Sequence, residues 1–482
     1  MAQEMEKITD QLKYNQKILS SPYYKYQKLP PQSAAAVQIT TTGGNDSVFE
    51  LPPKVFNLAR SWLEFTLTPP QCVITGYNYM HLGALTPWQQ VQVISKTTGK
   101  ILLDISQFQM FTKVIFQAAI SIKEYYNQDL GYDASLPNQY TGVVSFLRKN
   151  NSPFASAANN VVLTTPGSFA IRPIDGSNPV VYYNEQSYCE IGQIGAAGPP
   201  IVPGNGPVFN CSIPMGLIKE SILEVDKDLF FNDVLQIRFV WGSINRVGWQ
   251  GTSNTNPVTG AIAMADPANI TNLNLYLAVE QNEDIANEVK NTVMTQGLKI
   301  PIAYPTAVRN TITNNSQHTV TLLMNQTHGT RLMKIYHTML AANGAVNPTE
   351  QLNVAYDMLM PTDATAAGSY FYCQLDSNRI EDQNINLNTY EDWMYINTKL
   401  KNSITFCSEI YRYNWFWIED FSSVNANASA SEDSEIKGIE MGNGRRFDFQ
   451  LNAGGGAISA IHYDFIIGQK ILTLTANGPY LQ

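Results

Sequence analysis

From residue 35 to its end, the chain keeps returning to short segments in which apolar and polar side chains alternate, bounded by Asn, Gly, Thr or Pro. A period of two sends successive side chains to opposite faces, which is the mark of a half-buried strand. Ala36-Val37-Gln38-Ile39-Thr40, Ser47–Leu51, Ser61–Leu67, Leu273–Val279 and Ala457–Ile467 read as following it. Val208–Ile213, Leu235–Trp241, Leu298–Tyr304, Val320–Met324, 331–340, Arg446–Leu451 and Ile471–Thr475 read as further strands. Val91–Ile94 leads through Lys96-Thr97-Thr98-Gly99-Lys100 into Ile101–Ile105, a hairpin.

Helical spacing is confined to a few places. Met5, Ile8, Leu12 and Leu19 fit a short amphipathic helix that Ser20-Ser21-Pro22 ends; such a helix orders only by docking onto something. Phe108, Phe111, Ile115 and Ala119 recur at three or four residues. In 282–297, Ile285, Val289 and Val293 are spaced by four, Glu283 and Asp284 complement a helix N-terminus, and Gly297 follows the last turn. That segment reads as a linker helix between two β units. The expected organisation is an arm at 1–28, a first β domain at 29–281, the linker at 282–297 and a second β domain at 298–482.

The two units echo each other. The hairpin at 91–111 ends in Gln107-Phe108-Gln109-Met110-Phe111. Tyr372–Leu375 likewise passes a turn at Asp376–Arg379 and ends in Tyr390-Glu391-Asp392-Trp393-Met394. Phe108 and Phe111 match Tyr390 and Trp393 in spacing and place. Two β units in tandem, each with many strands and long loops, suit an all-β chain of two consecutive eight-stranded jelly rolls. A single large β sandwich with insertions is the plainer alternative.

A length of 482 residues is more than one ordinary domain needs, and 44% hydrophobic against 15% charged residues excludes a disordered chain. The net charge of −9 argues against coating nucleic acid, and no sequence-specific nucleic-acid binding is expected. Only the first 28 residues lean positive, with five Lys against Glu4, Glu6 and Asp10. Cys72, Cys189, Cys211, Cys373 and Cys407 are scattered and form no CxxC pair, so they read as reduced, mostly buried thiols. The opening MAQEMEKITDQLKYNQKILSSP lacks the apolar core of a secretory signal, and no run approaches the length of a transmembrane helix.

No catalytic, cofactor-binding or metal-binding residues are assigned from the sequence, and no enzymatic activity is expected. His81, His318, His328, His337 and His462 offer no pair at metal-helix spacing and read as structural or surface groups. Neither a GxSxG elbow nor a GxxxxGK[ST] loop is present. Asp363, Asp376, Glu381 and Asp382 have the chemistry of a glycosidase acid and base, but carboxylates in turns are far more often solvated or capping. Met80, Met215 and Met294 read as core residues.

Several segments resemble the double jelly-roll major capsid proteins of tailless double-stranded DNA viruses, the group of nucleocytoplasmic large DNA viruses, virophages and polinton-like viruses. Asn274-Leu275-Tyr276-Leu277-Ala278-Val279-Glu280-Gln281-Asn282-Glu283-Asp284 resembles the last strand of the family's first roll, where an acidic pair opens the linker helix. Val293-Met294-Thr295-Gln296 resembles the lead into the second roll, without the aromatic usual there. Ala460–Ile467, then Leu472 and Gly478, resembles the closing strand, and Ile213–Ile218 followed by 235–241 a passage late in the first roll. The order and spacing of these segments carry the resemblance.

It implies a homotrimer whose six rolls make a pseudo-hexagonal block, and trimers that tile an icosahedral shell in the virion. Loops at about 125–206, 245–271 and 423–444 would form outward towers. The N-terminal arm would lie inside, where penton and minor capsid proteins are the expected partners. The competing readings are a carbohydrate-binding or glycoside-cleaving β sandwich, with Tyr125, Tyr126, Tyr132 and Tyr140 as stacking platforms, and a minor capsid or vertex protein.

Overall fold

Alternation in sequence becomes alternation of burial. Along Leu235–Trp241, residues 235, 237, 239 and 241 are buried and those between are half-exposed. The computed structural model describes residues 22–33, 36–68, 76–81, 88–119, 132–134, 188–194, 209–244, 248–251, 261–262, 267–325, 327–343, 349–350, 368–387, 390–399, 415–422, 438–442, 444–454 and 458–482.

Among the described residues eight main strands frame the first roll, β1 (Tyr24–Leu29), β2 (Asp46–Leu51), β3 (Val55–Thr68), β4 (Trp88–Ser95), β5 (Ile101–Ser106), β6 (Phe209–Pro214), β7 (Leu235–Trp241) and β8 (Ala268–Glu280), and the short strands Val37–Ile39, Tyr132–Ala134 and Leu229–Phe230 pair onto the first of its sheets. The eight pair antiparallel as two sheets, β1-β8-β3-β6 and β2-β7-β4-β5. Helix α1 (Phe108–Ala119) follows β5, and α2 (Glu283–Thr295) follows β8.

The second roll has β9 (Leu298–Asn315), β10 (Gln317–Met324), β11 (Arg331–Asn343), β12 (Tyr370–Leu375), β13 (Asn378–Arg379), β14 (Phe416–Asp420), β15 (Arg445–Asn452) and β16 (Ile458–Thr475). Its sheets are β9-β16-β11-β14 and β10-β15-β12-β13, again antiparallel. Adding eight to each strand number of the first roll gives the second. Helix α3 (Tyr390–Lys399) follows the β12–β13 hairpin as α1 follows the β4–β5 hairpin. The echo in the sequence thus marks equivalent places in two copies of one topology.

Each roll closes on an aromatic core. In the first, Trp88 lies 4.6 Å from Phe239, and Trp241 donates its indole N–H to Ser47 Oγ at 2.9 Å. In the second, Phe371 packs on Trp417 at 4.7 Å and on Phe449 at 5.5 Å. Helix α2 is capped by Asn282, whose side chain accepts from the Asp284 N–H, and it buries Ile285, Val289 and Val293. Gly297 ends it at φ +73°, the left-handed conformation that glycine adopts without strain.

The rolls share a wall. On β16, His462 and Asp464 point into the second roll, while Phe465 turns the other way and meets Phe111 of α1 edge-on at 5.5 Å. Tyr336 and Lys334, on the same outward face of β11, reach Glu220 of the first roll. Asn232 donates to the Ala476 carbonyl at 2.6 Å, and the Lys100 ammonium lies 5.4 Å from the Tyr480 ring centroid.

Three differences from the sequence reading have physical causes. Residues 24–28, taken as the end of the arm, belong with Leu29 to β1, which pairs with β8 from Tyr24↔Glu280 to Leu29↔Leu275. Its lysines hid the pattern, although Tyr26 packs 4.4 Å from Trp62 on the sheet's outer face. Residues 1–21 lie outside the described residues. Ala457–Ile467, read as an alternating strand, and Ile471–Thr475, read as a second one, are the single β16; from residue 460 to 469 it is buried on both faces, so the expected alternation of burial is absent. Strand β9 runs on past Tyr304 despite Pro301 and Pro305, because it lies at the edge of its sheet.

Of the long excursions, Tyr188–Ile194, Gly248–Gly251 and Ala261–Ile262 join Gly76–His81 in a separate antiparallel sheet. Most of 125–206 and of 423–437 lies outside the described residues.

Gly468 sits within β16, where a Cβ would come 2.0 Å from the His328 carbonyl oxygen. Gly468→Ala is expected to destabilise the protein by about 3 kcal/mol in denaturant unfolding, because backbone must move to admit the methyl group.

Candidate functional site

The strand register assembles a titratable cluster in the core of the second roll. His337 of β11 is paired with Asp464 of β16, and Met339 with His462. His462 and Asp464 are two residues apart on one strand, so they share a face. Their neighbours on β9 are Asn310, opposite His462, and Val308, opposite Asp464. His337, His462 and Asp464 are each 0% exposed.

The contacts are short. His337 Nδ1 lies 2.6 Å from Asp464 Oδ1, and Asn310 Nδ2 donates to Asp464 Oδ2 at 3.3 Å. His462 Nε2 lies 3.1 Å from Asp464 Oδ1, a charge contact that lacks the direction of a hydrogen bond. On its other side, His462 Nδ1 is 3.4 Å from Nε2 of His318, which β10 brings in from the opposite sheet. Phe449 stacks on His337 at 4.9 Å and tilts against His462 at 4.9 Å, sealing the cluster.

Burial pushes the Asp464 carboxyl up, but the adjacent His462 charge and the hydrogen bond from His337 outweigh it and hold Asp464 below the usual carboxylate range. Burial, reinforced by His462, pushes His318 down to about 4, so at neutral pH it is an uncharged acceptor. A cluster sealed this tightly gives a substrate no approach. Its chemistry is that of a fastening inside the roll.

A second polar group joins the rolls. Lys334 Nζ lies 2.5 Å from Glu220 Oε1, to which the Tyr336 hydroxyl donates at 3.2 Å. Burial, then the Glu220 charge, pushes nearby Glu224 up to about 7, and its carboxyl accepts from the Glu220 N–H at 2.8 Å.

Other residues singled out from the sequence take ordinary places. Asp376 accepts from the Arg446 N–H at 3.0 Å in its turn. Glu381 pairs with Lys399 at 3.3 Å, and Asp382 is exposed. Met215 is buried, but Met294 is 47% exposed on α2, on the face away from Ile285, Val289 and Val293. Cys373 is buried, and burial pushes its thiol up. Cys72, Cys407, Asp363, Tyr125, Tyr126 and Tyr140 lie outside the described residues. The sequence hides the histidine cluster, because His337 and His462 meet only through sheet register. The one local signal is the His462-x-Asp464 spacing, which puts an imidazole and a carboxylate on one strand face.

No protein-family model and no curated protein matches the chain. Among solved structures, a chain of the Sputnik virophage, determined by cryo-EM, gives a TM-score of 0.50 at 12% identity, covering 96% of this chain and 89% of that chain. The mavirus major capsid protein gives 0.48 at 10% identity, covering 97% and 92%. The Faustovirus major capsid protein gives 0.44 at 10%, covering 97% of each. The fold is a double jelly roll.

Acid should act on His318 with a defined sign. Its folded-state value lies below the ordinary 6.5, so between pH 6.5 and about 4 the unfolded chain binds more protons and stability falls as pH falls. Glu224, raised from 4.5 to about 7, works the other way, losing stability as pH rises through that window. The expected result is therefore a difference: in thermal melts, the stability of wild type relative to His318→Gln shrinks from pH 6.5 to 4. A constant difference would show that His318 is not held neutral.

Proposed function

We propose that this chain is the major capsid protein of a tailless double-stranded DNA virus and resides in the virion. In this reading it forms a homotrimer whose six rolls make a pseudo-hexagonal block, and such blocks tile an icosahedral shell. The observation that carries the reading is the double jelly roll itself, running from β1 to β16 with one topology used twice and a shared wall of apolar and polar contacts between the copies. The likeness to the chain of the Sputnik virophage spans nearly the whole length and supports the same reading.

The geometry suits a tile. Two rolls of equal topology standing side by side give one chain two of six near-equivalent corners, so a threefold axis suffices for a hexagonal outline. Obligate interfaces of this kind commonly bury more than about 2,000 Å². Exposed apolar side chains such as Leu323, Ile101 and Tyr23, at 62%, 46% and 67% exposure, are candidates for burial there. The contacts between trimers can be smaller and polar, since a lattice sums many of them. The arm at residues 1–21 is assigned to inner-face contacts with penton and minor capsid proteins.

Light scattering behind size-exclusion chromatography is expected to give three times the 53.6 kDa chain mass, and negative-stain images six-lobed particles of hexagonal outline. A protein that stays monomeric at micromolar concentration and binds a glycan array would overturn the shell reading in favour of a carbohydrate-binding one.

A further inference from the structure

Hydrogen bonding does not use up the donor set of the histidine cluster. His337 engages Asp464 through Nδ1, yet its Nε2 finds no hydrogen-bond partner among the described residues, and Nε2 of His462 has only the poorly directed contact with Asp464 Oδ1 at 3.1 Å. A buried polar atom left unpaired costs on the order of 1–3 kcal/mol, so His337 Nε2 calls for an explanation. One ligand atom from each of His337, His462 and Asp464 can be chosen such that all three lie within 4.8 Å of one another.

Two imidazoles and a carboxylate are a donor set that zinc accepts, at about 2.0–2.2 Å and in tetrahedral geometry. Ligand atoms on such an ion stand about 3.3 Å apart, so closure from 4.8 Å asks each side chain to move by less than about 1 Å. We propose that His337, His462 and Asp464 bind a divalent transition-metal ion, zinc in the first place, which fastens β11 to β16 inside the second roll. The imidazole majority disfavours calcium and magnesium, which take oxygen ligands.

The surroundings are those of a supported site. Ligating imidazoles and carboxylates are held by outer hydrogen bonds that fix their orientation. His462, ligating through Nε2, keeps Nδ1 for His318 Nε2 at 3.4 Å. Asp464, ligating through Oδ1, keeps Oδ2 for Asn310 at 3.3 Å. Strands β9, β10, β11 and β16 all contribute, so an ion here would tie both sheets of the roll through the ligands and their supports. The role is structural, and it stands whether or not the chain forms a shell.

The test uses the full chain, produced and folded in the presence of zinc so that the buried cluster can load as the roll closes, then dialysed at pH 7.5 against metal-free buffer. Elemental analysis is expected to give about one zinc per chain, and stripping with a strong chelator to lower the melting temperature on the order of 5 °C, restored by zinc. X-ray absorption at the zinc edge should show imidazole and oxygen scatterers without sulfur. His337→Gln and Asp464→Asn should each lower zinc content at least tenfold.

Wild-type protein holding less than a tenth of an equivalent, with a melting temperature indifferent to zinc and chelator, overturns the proposal. So does a sulfur shell at the zinc edge, or a folded His337→Gln that keeps its full equivalent. If the variants fail to fold, wild-type stoichiometry and the absorption spectrum decide alone.

Discussion

Everything in the second roll is arranged around a strand with no exposed face. From Ala460 to Gln469, β16 is buried throughout, pressed on one side by Phe449 of its own roll and on the other by Phe111 of its neighbour. It pairs with β9 along one edge and β11 along the other. A strand used up in all four directions leaves each residue a single permitted size. Gly468 shows the limit, since the His328 carbonyl already occupies the space of a methyl group.

The wall between the rolls is mixed by design of its chemistry. Apolar contact between Phe111 and Phe465 supplies attraction without direction. Glu220, Lys334 and Tyr336 supply direction, because an ion pair buried to this degree is costly unless every partner meets. Glu220 itself sits at φ 54°, in a region that non-glycine residues enter rarely. The loop after β6 thus carries local strain and delivers the carboxylate to Lys334. A rigid angle between two rolls is what a shared-wall fold needs if it is to present both as parts of one block.

How far the sequence spoke depends on burial. Strands with one wet face, such as β2 and β7, were legible residue by residue, and α2 was legible from Ile285, Val289, Val293 and the acids at its start. A strand with two dry faces was read as alternating and cut in two, as with β16. Strand β1 was missed because Lys25 and Lys28 mask its pairing and its aromatic contacts face outward. The histidine cluster was beyond reach for a different reason. Only the pairing His337↔Asp464 creates it, and pairing between residues 127 apart is written in no local pattern.

That same pairing answers a problem the apolar strands create. Where one face of a strand is wet, slipping by one residue exposes the core face, so hydrophobicity fixes the register. Strand β16 lacks that safeguard over its buried length, since a slipped Ile or Phe would still be dry. Polar contacts restore the specification. A one-residue slip against β11 would move Asp464 away from His337 and leave a fully buried carboxylate without its partner. A slip against β9 would also separate it from Asn310. The buried polar residues therefore sit on the pair of strands whose apolar pattern says least about alignment, and they make one register far cheaper than its neighbours.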